Sequence, residues 1–159
     1  ALGLDDAPRF SVPMPFNTLL WRVVAMTPNG YVIGDRSLVA DSGAIRFTAY
    51  QSDTHALEQV RGIDAVEQLA WFNHGFMRAQ VVGETLVLSD LRLGLEPDYN
   101  FSFVVAERAD GAWRAVPPRQ LRSPYRPPVP EGGFGKALAD LWTRIWNPPA
   151  GAAVPTPGR

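Results

Sequence analysis

Apolar and polar positions follow two rhythms along this chain. Residues 18–26 (TLLWRVVAM) are dense in strand formers and predict a buried strand. Thr27-Pro28-Asn29-Gly30 follows, with Pro suited to the first central turn position and Gly free to take positive φ. Residues 31–39 then predict the hairpin partner. After the turn at Asp41-Ser42-Gly43, Ile45, Phe47 and Ala49 alternate with Arg46, Thr48 and Tyr50, the period-two pattern of a half-buried strand. Residues 1–15 hold three Pro and little periodicity, which predicts an extended or frayed arm.

Helical spacing takes over in mid-chain. Ser52, Asp53 and Thr54 offer capping oxygens for a short helix to Val60, with Gly62 able to end it. Asp64 followed by Glu67 resembles a capping box, and Val66, Leu69, Ala70 and Phe72 predict a second helix to about Phe72. Strand patterns then return at 76–82, 85–93, 100–108 and 112–116, with Gly83-Glu84 and Asp110-Gly111 as hairpin turns. Tight turns favour antiparallel pairing, because parallel strands need long crossovers. The expectation is α+β: one antiparallel sheet of six or seven strands, with a helical pair inserted mid-chain. Its core would bury Trp21, Val23, Phe47, Leu69, Phe72, Leu91, Phe101 and Phe103.

The C-terminal part reads differently. Six Pro in residues 117–130 predict a semi-rigid linker, so the α+β domain would be 1–116. Phe134, Leu138, Leu141, Trp142 and Ile145 form an apolar stripe on an amphipathic helix within 131–147. That helix would pack on the domain or on a partner, including a second copy of the chain. The tail 148–159 predicts disorder.

Composition narrows the chemistry. The 159 residues carry a net charge of −1, with 14 Arg scattered among the elements and Lys136 as the single Lys, so no nucleic-acid partner is expected. No Cys is present, which removes disulfides, thiolate metal sites and cysteine nucleophiles. His55 and His74 are the two imidazoles and share no metal-ligand spacing, even with Asp53 and Glu58 beside His55. Neither a metal nor another cofactor is therefore expected in this chain. No nucleophile elbow or dinucleotide loop occurs, and Gly132, Gly133 and Gly135 lack the strand that a phosphate loop needs.

The distinctive run is Ser89-Asp90-Leu91-Arg92-Leu93-Gly94-Leu95-Glu96-Pro97. Charged residues in an apolar strand need partners, and Arg22 interrupts its strand in the same way. A structural network of Arg22, Asp90 and Arg92 answers that need. The sharper alternative makes Asp90 and Glu96 a paired acid and base, with His74 as a third catalytic candidate.

These motifs come in a familiar order: PFNTLLWR at 15–22, Trp71-Phe72 with Gly75-Phe76, SDLRLG at 89–94 with Glu96-Pro97, then Phe101 and Phe103. Residues 12–116, together with the final amphipathic helix, resemble the C-terminal region of the bacterial membrane-bound metal-dependent hydrolases, also described as LexA-binding, inner-membrane-associated hydrolases. The resemblance implies a soluble accessory domain, regulatory or recognising and itself non-catalytic. Its partner would be an N-terminal transmembrane bundle, which carries the family's metal motif and would be held in the inner membrane. None of that motif maps here, and Ala1 in place of an initiating Met fits a piece of a longer chain. Two other readings stand beside it: a free-standing hydrolase using Asp90 and Glu96 in a cleft, and an interaction or self-association module.

Overall fold

A computed structural model describes residues 6–96, 98–121 and 133–149. The Pro-rich run from 122 to 130 and the tail from 150 onward lie outside the described residues. The architecture is α+β and antiparallel, but the strands divide into two four-stranded sheets instead of one larger sheet.

The first sheet has the order β1-β2-β3-β4, comprising Arg9–Pro13, Leu20–Thr27, Gly30–Ser37 and Thr48–Gln51. The arm expected to be extended or frayed is, from Arg9 onward, extended: it forms an edge strand, in register from Arg9↔Ala25 to Pro13↔Trp21. A Pro at the end of an edge strand is tolerated because no ladder hydrogen bond is lost there. The β2–β3 hairpin turns at Pro28-Asn29 with Thr27 opposite Gly30. Gly30 is obligatory: its φ is +154°, and an added Cβ would lie 2.1 Å from the Tyr50 carbonyl oxygen.

Two helices follow, α1 (Thr54–Gln59) and α2 (Asp64–Asn73). Asp64 is the first residue of α2, not its cap: Ile63 holds that position, and no side chain caps the helix. The helix ends at His74, in the left-handed conformation at φ 55°, whose N–H reaches the carbonyls of Ala70 and Trp71.

The second sheet has the order β10-β9-β6-β5. Its strands are β5 (Met77–Val82), β6 (Thr85–Asp90), β9 (Ser102–Ala109) and β10 (Ala112–Gln120). A two-stranded ribbon, β7 (Gly94–Leu95) with β8 (Asp98–Tyr99), lies between β6 and β9. Strand β10 takes in Pro117 and Pro118, four residues beyond the expected domain end at 116. The register shifts between Ala115 and Arg119, so the prolines sit in an edge-strand irregularity.

The sheets are joined where β4 leads into α1. Asp53 N–H donates to Ala79 C=O at 2.9 Å, and Ala79 N–H donates to Ser52 Oγ at 2.8 Å. Val81 N–H donates to Asp53 Oδ2 at 2.7 Å. One backbone bond and two side-chain acceptors thus carry the pairing across the gap at which the backbone turns into helix.

Each sheet has its own core. The α1–α2 pair, through Ala56, Val60 and Val66, covers Met77, Ala79, Leu86, Leu88, Val105 and Ala106 of the second sheet. The 91–100 excursion covers the first sheet, with Leu91 and Tyr99 buried against Val24, Tyr31 and Ile33. Burying Leu91 contributes about 1.5–3 kcal/mol. Of the eight expected core residues, Leu91 is buried, and Trp21, Val23, Phe47, Leu69 and Phe103 are half-buried. Phe72 and Phe101 correct the expectation, being 53% and 41% exposed. Phe72 stands outside the stripe by which α2 meets the sheet.

Helix α3 (Gly133–Trp146) docks at the far end of β3. Ile145 is buried, and its carbonyl accepts from Ser37 Oγ at 2.5 Å. Arg144 grips Asp41 through two hydrogen bonds of 3.0 and 2.5 Å. Only part of the expected stripe is covered, since Trp142 is 62% exposed; the Phe134 side chain lies outside the described residues.

Candidate functional site

The polar residues singled out in the sequence gather around the loop that covers the first sheet, but not as one network. Arg22 on β2 faces Asp35 on β3, directly opposite it in register. Its Nε and Nη2 donate to the two carboxylate oxygens at 2.8 and 3.0 Å. Burial works against this charge, yet the bond and charge of Asp35 outweigh it and hold the guanidinium more firmly protonated than usual.

Asp90 closes β6 with its side chain nearly out of solvent. It accepts from the Arg92 guanidinium at 3.1 and 2.9 Å and from the Arg92 backbone N–H at 2.9 Å. The carboxylate thereby both pairs with Arg92 and fixes the reversal that leaves the strand. The hydrogen bond to Asp90 pushes the Arg92 pKa further up. The Arg92 Cζ also lies 5.1 Å over the Phe72 ring, which accounts for a half-exposed aromatic on α2.

Glu96 belongs to a third group. It accepts from Arg78 Nη1 at 3.1 and 3.4 Å, and from the Tyr31 hydroxyl. Arg78 lies 5.2 Å from the Tyr99 ring centre, and Tyr50 stacks on Tyr31 at 5.6 Å. Burial, reinforced by the neighbouring Glu96 charge and a hydrogen bond to it, raises the pKa of Tyr99 strongly.

Arg22 and Arg92 meet at a shared cleft of about 340 Å³. Phe10, Val12 and Met14 form one wall, and Leu91 and Arg92 the other. The loop beside it is held by Asn17, whose Oδ1 accepts from Leu19 and Leu20 N–H while its amide donates to Met14 and Pro15 carbonyls. A second cleft, about 410 Å³ between α1, α2 and β5, has Arg61 on its lining, already paired with Glu58 on the surface.

The catalytic candidates are not assembled. Asp90 and Glu96 pair with different arginines, and His74 is exposed with its backbone closing α2. His55 is exposed in the first turn of α1, while Asp53 and Glu58 are engaged by Val81 N–H and Arg61. Among the described residues no three His, Asp or Glu converge as a metal site requires.

Sequence reasoning missed Asp35, Arg78, Tyr31 and Tyr99. Asp35 was within reach of it: once Pro28-Asn29 sets the hairpin, counting back from Thr27↔Gly30 places Asp35 opposite Arg22. The other three are joined by contacts between elements distant in sequence, which no local pattern carries. Compared with known proteins, the chain matches no protein-family model, no curated protein and no solved structure.

Proposed function

We propose that this chain is an accessory domain, recognising or regulatory and not itself catalytic, of a membrane-bound metal-dependent hydrolase of the bacterial inner membrane. The observation that carries the non-catalytic part is the commitment of both candidate carboxylates. Asp90 is bound by Arg92, and Glu96 by Arg78 and Tyr31. A carboxylate held in this way serves register and loop geometry, whereas a general acid or base must be free to exchange a proton with substrate. The membrane part rests on the motif resemblance. No helix among the described residues is long and apolar enough to cross a bilayer, so an anchor would come from another segment.

Two measurements test this reading. The reading frame ahead of Ala1 should encode several apolar stretches of ~20 residues. The purified chain should show no zinc- or manganese-dependent turnover of ester, phosphoester or peptide substrates. Turnover that disappears in Asp90→Asn or Glu96→Gln would make the domain catalytic.

The self-association reading has one observation in its favour. Leu138, Trp142 and Trp146 make an exposed row along α3, with the two Trp rings 5.7 Å apart. Sedimentation of the wild type and Trp142→Glu over a range of concentrations decides it; a mass that is monomeric throughout removes this reading.

A further inference from the structure

We infer that the cleft between β1 and the β6–β7 turn is a binding site for a small aliphatic carboxylate, its head group taken by Arg22 and Arg92 and its chain by the apolar walls. This inference stands whether or not the chain belongs to a membrane hydrolase.

A guanidinium carries five N–H groups in a rigid fork. Asp35 takes Nε and one Nη2 hydrogen of Arg22, and Asp90 takes the same pair from Arg92. Each arginine keeps the Nη1 pair and one Nη2 hydrogen. Both side chains line the cleft, and both are mostly buried, 16% and 26% exposed. The carboxylates also fix the orientation of the forks, so little rotamer entropy remains to be lost on binding. Planar forks presented in this way suit a carboxylate.

Charge balance selects the class of anion. Each guanidinium already has its own counter-ion, so the pair of arginines brings no excess positive charge to hold a dianion. A single negative charge, recognised by hydrogen bonds, fits better. The walls select the rest of the ligand: Phe10, Val12, Met14 and Leu91 are apolar, and a cleft of about 340 Å³ sits at the lower end of small-molecule sites. A site of that size suits a small ligand with an aliphatic chain.

The test uses the full chain and four probes: octanoate, octanol, octyl phosphate and acetate, followed by calorimetry and by NMR of backbone amides and arginine Nε–H. Octanoate should bind saturably, with octanol and acetate each about tenfold weaker or more. Its shifts should centre on Arg22, Arg92 and the Val12 amide. Val12→Trp, which fills the cleft and keeps all four residues of the two ion pairs, should weaken octanoate at least about tenfold. Three results overturn the inference: no saturable octanoate binding at millimolar concentration, octanol or octyl phosphate binding as tightly as octanoate, or shifts centred elsewhere. If Val12→Trp does not fold, the wild-type shift map and the probe ranking still decide.

Discussion

The Tyr31 hydroxyl, on the first sheet, donates to the Glu96 carboxylate, in the loop leaving the second. Arg78 of β5 holds the same carboxylate from the other side, with both side chains 15% exposed. Glu96 is therefore the point at which the covering loop is fastened to two sheets that share no backbone ladder.

Removing Glu96 should loosen that fastening. Glu96→Ala leaves Arg78 mostly buried without its counter-ion, and the expected cost is about 3–5 kcal/mol in denaturant unfolding. Glu96→Gln keeps acceptors for Tyr31 and should cost less. A double-mutant cycle with Tyr31→Phe should give a coupling of about 0.5–3 kcal/mol. Strict additivity would show that the hydroxyl contributes nothing to holding the loop.

Tyr99 makes the fold sensitive to alkali. Its pKa is raised first by burial and then by the nearby Glu96 charge, so the folded state keeps the phenol proton more tightly than the unfolded chain. The resulting stability is fully present below the ordinary value of 10.0 and is lost as pH rises above it toward the folded value. Denaturant midpoints should fall on going from about pH 9 to about pH 11, and Tyr99→Phe should flatten that slope. Equal losses in the two proteins would sink the assignment.

Acid should act at the other end of the molecule. Burial pushes the Asp41 pKa up, but the hydrogen bonds from Arg144 and Ser37 N–H outweigh it and the net shift is downward. A lowered carboxyl pKa contributes stability above its ordinary value of 3.8 that disappears as pH falls through the folded value. Hydrogen exchange of α3 amides, corrected for the intrinsic pH dependence of exchange, should therefore quicken below about pH 4, ahead of the sheets. Asp41→Asn should produce the quickening at neutral pH, at about 1–3 kcal/mol. Acid exchange of α3 in step with the sheets would mean that the pair does not govern docking.

The strands were legible in the sequence because alternation is local; their grouping was not, because it depends on where the backbone stops pairing. Ser52 and Asp53 illustrate this. As capping residues they announced a helix; in the structure Asp53 holds the cap position without a side-chain capping bond, and both side chains instead accept from β5, where no continuous ladder forms. Phe72 illustrates the converse, an aromatic near the helical stripe that serves as a lid on Arg92. Arg22 and Asp90 were rightly read as needing partners, since a charge in an apolar strand requires one. The choice of partner was decided by hairpin register for Arg22 and by a chain reversal for Asp90.

That choice has a measurable consequence. Had Arg22, Asp90 and Arg92 formed one network, removing two members would cost much less, or much more, than the sum of single removals. The pairing found here is Arg22 with Asp35 and Arg92 with Asp90. Asp90→Ala should cost about 3 kcal/mol, because a nearly buried carboxylate leaves its arginine uncompensated and the loop reversal loses its acceptor. Asp35→Ala should cost a similar amount, about 3 kcal/mol, since the Arg22 side chain it leaves uncompensated is 16% exposed against 26% for Arg92. The double variant should unfold with the sum of the two costs to within about 0.5 kcal/mol. A coupling above about 1 kcal/mol would mean that the two guanidiniums act on each other across the cleft, as a single clamp instead of two separately braced ones.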